Sequence, residues 1–402
     1  MRNHTSRMCA RLFSASSVML VLLSPTVARA QGPDRPVAAP DSVPPAPNAQ
    51  DRRTRIRPYV GLKRQSGLGF TPQLGLTRTS RDPLYEPYRS KERLKVAYST
   101  ALQDFQVDLE TDNRLPDSRL LVTTKSRWTA IGVGDFRGFG NDTPELTGPF
   151  YRARQQQWSF SPSIGFAFGP ESRISLGPII KQTTTDSTDT FISEVQPYGF
   201  GRFGQAGVRL AVEYDSWDRF GAVSQAAEDS ANHRLRSGGF VTEIEGAVYP
   251  EMWDVASTFS TLSITAVKYV GIRVPGDPVL ALRAGAAKVW GDFPYFEAAF
   301  LGGSHTLRGF RHQRFAGDAA VHGSAELRVP VARFHWWAPL NVGLLGIYDI
   351  GRVYMDGESP GGWHTTAGGG LWFGAFSPGS HVHVLFTDSR ERRVRFGFGF
   401  DY

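Results

Sequence analysis

The sequence predicts an all-β chain, a transmembrane antiparallel β-barrel of about 16 strands over residues 58–402. Three observations carry this. Period-2 alternation of apolar and polar residues recurs along the chain, an export signal precedes it, and an alternating, aromatic-ended strand closes it.

The N-terminus sets the compartment. Residues 1–30 place Arg2, Arg7 and Arg11 ahead of the apolar run Val18-Met19-Leu20-Val21-Leu22-Leu23, followed by Ala28-Arg29-Ala30. That is the layout of a cleaved secretory signal, with a mature chain starting at Gln31. Cys9, the sole cysteine, precedes the apolar run, whereas a lipidation site would follow it. An exported chain without cysteine offers neither disulfides nor thiolate metal ligands. Residues 31–57 are rich in proline and charge and bury nothing, so they read as an extended periplasmic tether. Arg52, Arg53, Arg55 and Arg57 leave a partner-docking segment as the competing reading.

Charge and hydropathy follow the same partition. The chain carries 45 basic and 38 acidic residues, a net +7. Most of that excess lies in the first 57 residues, and the remainder is close to neutral, so the basic balance does not point to nucleic acid. The mean hydropathy of −0.28 comes with no run of roughly 18 apolar residues, which excludes a helical polytopic membrane protein.

Beyond residue 57 the strands announce themselves in turn. Phe105, Val107 and Leu109 alternate with acidic and amide residues. Trp158, Phe160, Ile164, Phe166 and Phe168 alternate with small and polar ones. Val208, Leu210, Val212 and Tyr214 alternate with Arg209, Ala211, Glu213 and Asp215, and Phe240, Ile244 and Val248 face away from Glu243 and Glu245. A soluble sandwich and a membrane barrel share this pattern. About 345 nearly helix-free residues, without a propeller or solenoid repeat, exceed one sandwich and suit a closed barrel with lipid outside and a charged lumen inside.

The last strand sharpens the assignment. Val394, Phe396, Phe398, Phe400 and Tyr402 alternate with Arg393, Arg395, Gly397, Gly399 and Asp401 up to the final residue. This resembles the C-terminal assembly signal of outer-membrane barrels, with Tyr402 in place of the usual Phe. Gly397 and Gly399 remove packing side chains, so a seam closed by this strand should be weak.

One constellation narrows the family. Leu301-Gly302-Gly303-Ser304-His305-Thr306-Leu307-Arg308-Gly309-Phe310 is followed by Glu326 in Ala325–Pro330 and by Asp349 and Gly351 in Ile347–Gly351. Together with the C-terminal signal, this order resembles the BamA/TamA outer-membrane assembly superfamily, the bacterial surface antigen family. The resemblance implies an extracellular loop folded into the barrel, its Arg-Gly-Phe tip paired through Arg308 with Glu326 and Asp349. Leu307 replaces the usual Val or Ile, and Ile347 stands where Phe or Gly is typical. Tyr214-Asp215-Ser216-Trp217-Asp218 is similar to the family's Tyr-Asp-Ser-Arg-Asp strand end, with a longer insertion after it that the family topology turns to the periplasm. On the same topology Ser377-Pro378-Gly379-Ser380 is the last periplasmic turn. Residues 58–205 match in strand pattern alone, and Gly138–Thr143 carries no feature that places it at either end.

The family's insertases and secretion pores carry periplasmic POTRA modules, for which the 27 residues of 31–57 are too few. The resemblance therefore implies a stand-alone barrel in the bacterial outer membrane. Expected partners are outer-membrane lipids, the barrel-assembly machinery during biogenesis and a separate periplasmic protein. The expected function is assembly or translocation of membrane protein or lipid through a loop-gated lumen and a weak strand seam; the alternative is a passive, porin-like diffusion channel. No enzyme, cofactor or metal is expected. Gly357-Glu358-Ser359-Pro360-Gly361 matches a nucleophile motif but no helix follows, and Gly199–Gly204 matches a nucleotide motif but leads into a strand. His381 and His383 share a strand face with no third ligand in sight.

Overall fold

The computed structural model describes residues 53–65, 68–82, 85–145, 148–169, 171–185, 188–216, 238–335, 339–375, 381–389, 391 and 394–398. Trp217, Asp218, Gly399, Phe400 and Tyr402, the signal, the insertion at 219–237 and the turn at 377–380 lie outside the described residues.

The unit spanning residues 47–402 is an antiparallel meander. Its strands are β1 (Arg53–Gln65), β2 (Gly69–Asp82), β3 (Tyr85–Ser99), β4 (Asp104–Arg114), β5 (Leu120–Asp135), β6 (Arg152–Ala167), β7 (Arg173–Thr185) and β8 (Arg202–Asp215). They continue with β9 (Phe240–Tyr249), β10 (Phe259–Gly271), β11 (Val279–Trp290), β12 (Ala299–Leu301), β13 (Phe315–Gly317), β14 (Ala319–His335), β15 (Pro339–Tyr354), β16 (His364–Ala375), β17 (His381–Thr387) and β18 (Val394–Phe398). Sixteen of them form one sheet in chain order, β11 pairing directly with β14, while β12 and β13 form a small hairpin of their own. Among the described residues a single short α-helix, α1 (Phe191–Val195), sits in the β7–β8 connection.

The sheet curls into a nearly closed barrel. β1 and β18 approach within 8 Å, yet no ladder joins them among the described residues. Among the described residues β18 has five residues and β1 thirteen.

Side-chain direction follows the sequence alternation. Ile164, Phe166, Leu176, Val208, Leu210, Leu344, Leu371 and Phe373 are exposed on the outer face, as a lipid-facing band requires. Between them, charged residues turn inward and pair across the lumen: Arg173 reaches Asp112 and Glu213 at 2.6 Å each, and Lys125 reaches Glu213 at 2.9 Å. Arg173, Lys125 and Glu213 line a cavity of about 570 Å³.

The boundary expected at residue 58 needs correcting, because β1 begins at Arg53. Arg53, Arg55 and Arg57, assigned to the tether, stand opposite Arg81, Thr79 and Thr77 on the lumenal face. Hydropathy missed them because this strand end alternates charge with Thr54 and Ile56 rather than presenting an apolar stripe.

Candidate functional site: a loop lock in the lumen

The connection between β11 and β14 is the longest one fully described, and it turns back into the barrel. Gly302 and Gly303 hold φ of +111° and +98°, a region L side chains rarely adopt. The Gly303 amide donates to the carbonyls of Leu307 (3.1 Å) and Phe310 (3.2 Å), and the Gly302 amide donates to Thr306 Oγ1 (2.8 Å). These bonds force a tight apex that projects Leu307, Arg308 and Gly309 against the wall. Leu307 is fully buried with Leu301, Phe315 and Val353, which gives the apex an apolar seat.

Arg308 lies on the wall in the arrangement that the resemblance implies. Its Nε donates to Asp349 Oδ2 (2.9 Å), its Nη2 to Asp349 Oδ1 (2.6 Å), and its backbone amide to Asp349 Oδ2 (2.9 Å). Nη1 donates to Glu326 Oε2. The other oxygen of Glu326 accepts from Arg328 Nε at 2.7 Å. Register explains the geometry: Asp349 stands opposite Ser324 on β14, two residues from Glu326, so the carboxylates are diagonal neighbours on the lumenal face. The side chains of Arg308, Glu326 and Asp349 are 1%, 1% and 0% exposed. At that burial a lone charge is costly, and the planar guanidinium satisfies two carboxylates at once.

The glycines give clearance. A methyl at Gly309 would run into the side chains of Thr366 and Ser389. At Gly351 it would sit 3.0 Å from Leu301 Cδ1, where the β12–β13 hairpin crosses β15. Phe310 meets Phe315 edge-on at 5.3 Å, and Phe315 stacks on His364 at 3.7 Å.

The C-terminal residues lie elsewhere. Val394 and Phe396 are exposed on the outer face, and Phe398 ends β18. Gly397 pairs with His383, whose buried ring occupies the space a side chain at 397 would take. The glycine expected to weaken the seam therefore accommodates a neighbour within the β17–β18 pair.

Sequence reading missed the support of the plug. The Gly138–Thr143 segment belongs to the plug end: Asn141 Nδ2 donates to the Val353 carbonyl (2.8 Å) and Asn141 Oδ1 accepts from the Val353 amide (2.9 Å). The amide side chain thus imitates a strand partner for the end of β15. Ser359, the serine of the nucleophile-like motif, donates to the same carbonyl at 2.6 Å and is a strut of this loop. Asp135, Arg137, Arg314 and Glu391 also gather here. The same-face spacing of Asp135 and Arg137 was the one visible signal.

Residues 84–399 match the Omp85 superfamily domain. Among solved structures, the chain is similar to BamA from Haemophilus ducreyi lacking POTRA domains 1-3, at 14% identity and a TM-score of 0.54, over 86% of this chain and 70% of that one. It is also similar to CdiB from Escherichia coli, at 13% identity and a TM-score of 0.55, over 88% of this chain. It spans 62% of the CdiB chain, less than two thirds. No curated protein sequence matches.

Proposed function

The chain belongs to the Omp85 superfamily of bacterial outer-membrane barrels, and on that premise we propose that it inserts or translocates membrane protein or lipid across the outer membrane. The observation that carries this is a lumen occupied by a loop locked through Arg308 to Glu326 and Asp349, beside a seam where β1 and β18 share no described ladder. A passage blocked by a buried, multiply bonded loop suits regulated opening better than steady diffusion. The proposal assigns no enzymatic step; its partners are outer-membrane lipids, the assembly machinery that inserts the barrel, and a periplasmic protein that delivers cargo.

In-cell crosslinking from residues 31–52 and 219–237 tests it, because those segments lie toward the periplasm on the family topology. Capture of a periplasmic factor, lost together with an envelope-assembly phenotype in Arg308→Ala, is the expected result. Normal envelope assembly and unchanged capture in a folded Arg308→Ala barrel would rule the proposal out.

A further inference from the structure

We infer that a buried charge cluster latches the inward loop to the final strand, so that the plug and the seam move as one unit. The inference rests on the loop-gated reading above and adds the element that transmits gating from lumen to seam.

The cluster joins three connections. Glu391, in the link between β17 and β18, accepts from Arg314 Nε of the inward loop at 2.7 Å. The same oxygen lies 3.6 Å from Nη1 of Arg137, at the end of β5. Its other oxygen accepts from the Arg311 backbone amide at 3.4 Å. Arg137 is held in turn by Asp135, with Nε donating to Oδ1 at 2.7 Å and Nη2 to Oδ2 at 3.2 Å. The carbonyls of Thr143 and Pro144 accept from Arg314 at 3.2 and 3.0 Å.

This arrangement is directional. Three arginines meet two carboxylates, and the side chain of Arg137 is 0% exposed. Arg314, outside the spanning strands, is held below its usual range by burial, which Glu391 offsets and neighbouring Arg137 reinforces. Removing Glu391 leaves two buried guanidinium groups facing each other without the anion between them. They separate when the inward loop moves away from the end of β5, and the loop has then lost its tie to the β17–β18 link.

Two contacts outside the cluster point the same way. Arg395, on β18 itself, donates from Nη2 to Ser304 Oγ of the loop at 2.9 Å. Gly309, next to the lock arginine, is pressed against Ser389, two residues before Glu391. Whatever lifts the loop from the wall therefore pulls on the entry to β18, the strand that faces β1 across the seam.

Spin labels test the coupling directly. In the full chain carrying Cys9→Ser, labels at Leu62→Cys and Val394→Cys report the seam at the loop end of β1 and β18. Glu391→Gln should shift their separation to longer distances. Arg308→Ala should shift it too with Glu391 in place, but should add little in the Glu391→Gln background. Should Glu391→Gln not fold, Arg314→Lys keeps the charge, loses the fork, and should give the smaller shift of the same sign. A seam distance unchanged in both variants, or an Arg308→Ala shift of equal size with and without Glu391, would overturn the latch. The readout needs no cargo, so a coupled seam with no envelope phenotype would reject the translocation proposal and leave the latch standing.

Discussion

At the residue scale, the lock behaves as a charge balance closed away from water. Glu326 is shared by Arg308 and Arg328, so its truncation strands two guanidinium groups. Glu326→Ala should destabilise the folded barrel by about 3–5 kcal/mol, the range for breaking a buried pair. A lower midpoint of heat-induced gel-mobility change would register it. Arg308→Lys retains the charge but cannot fork to both carboxylates, so it should fall nearer to Arg308→Ala than to wild type in the same assay. These roles were legible through the family resemblance, carried by an arginine between a glycine pair and a following glycine with one acid on each of the next two wall strands. The sequence did not reveal that Arg328 completes the set, because a lone arginine on an alternating strand looks like any lumenal charge.

At the element scale, the outer-face stripe is what made the strands readable, and its loss is what hid the exceptions. β1 begins early because arginines occupy its lumenal positions, and the Gly138–Thr143 segment had no place because its partner is the end of β15, more than two hundred residues away. Side-chain mimicry of a strand leaves no periodic trace. Asn141→Ala removes both bonds to Val353 and leaves its buried amide unpaired, while Ser359 still donates to the carbonyl, a cost of about 1–3 kcal/mol. Limited proteolysis should then cut residues 136–145 faster, while cleavage elsewhere stays unchanged. β18 gives a second check. Gly397→Ala drives a methyl into His383 and should speed amide exchange along the β17–β18 ladder. His383→Ala should restore slow exchange in the double variant; if it does not, the space at 397 is not reserved for that ring.

At the scale of the whole molecule, barrel closure and lumen occupancy are separate properties. Sixteen strands, even in number and joined in order, were legible from period and length, because lipid on one side and charge on the other impose a strict alternation. The plug was legible only through resemblance, since a loop that binds through one arginine and a few glycines has no periodicity of its own. The two properties make a joint prediction. The wall ladder from β1 to β18 does not run through residues 303–312, so a chain lacking them should still insert as a barrel and show a heat-modifiable folded band, at a lower midpoint because Arg308 is gone. Its lumen, though, loses Leu307, Arg308 and Phe310 at once. In planar bilayers the intact chain should show low or flickering conductance, and the shortened chain a steady open level. A steady, large conductance from the intact chain would mean that the loop does not seal the lumen and would favour passive diffusion. Equal, low conductance from both would place the seal elsewhere, and the paired charges around Arg173 and Glu213 would be the first candidates for it.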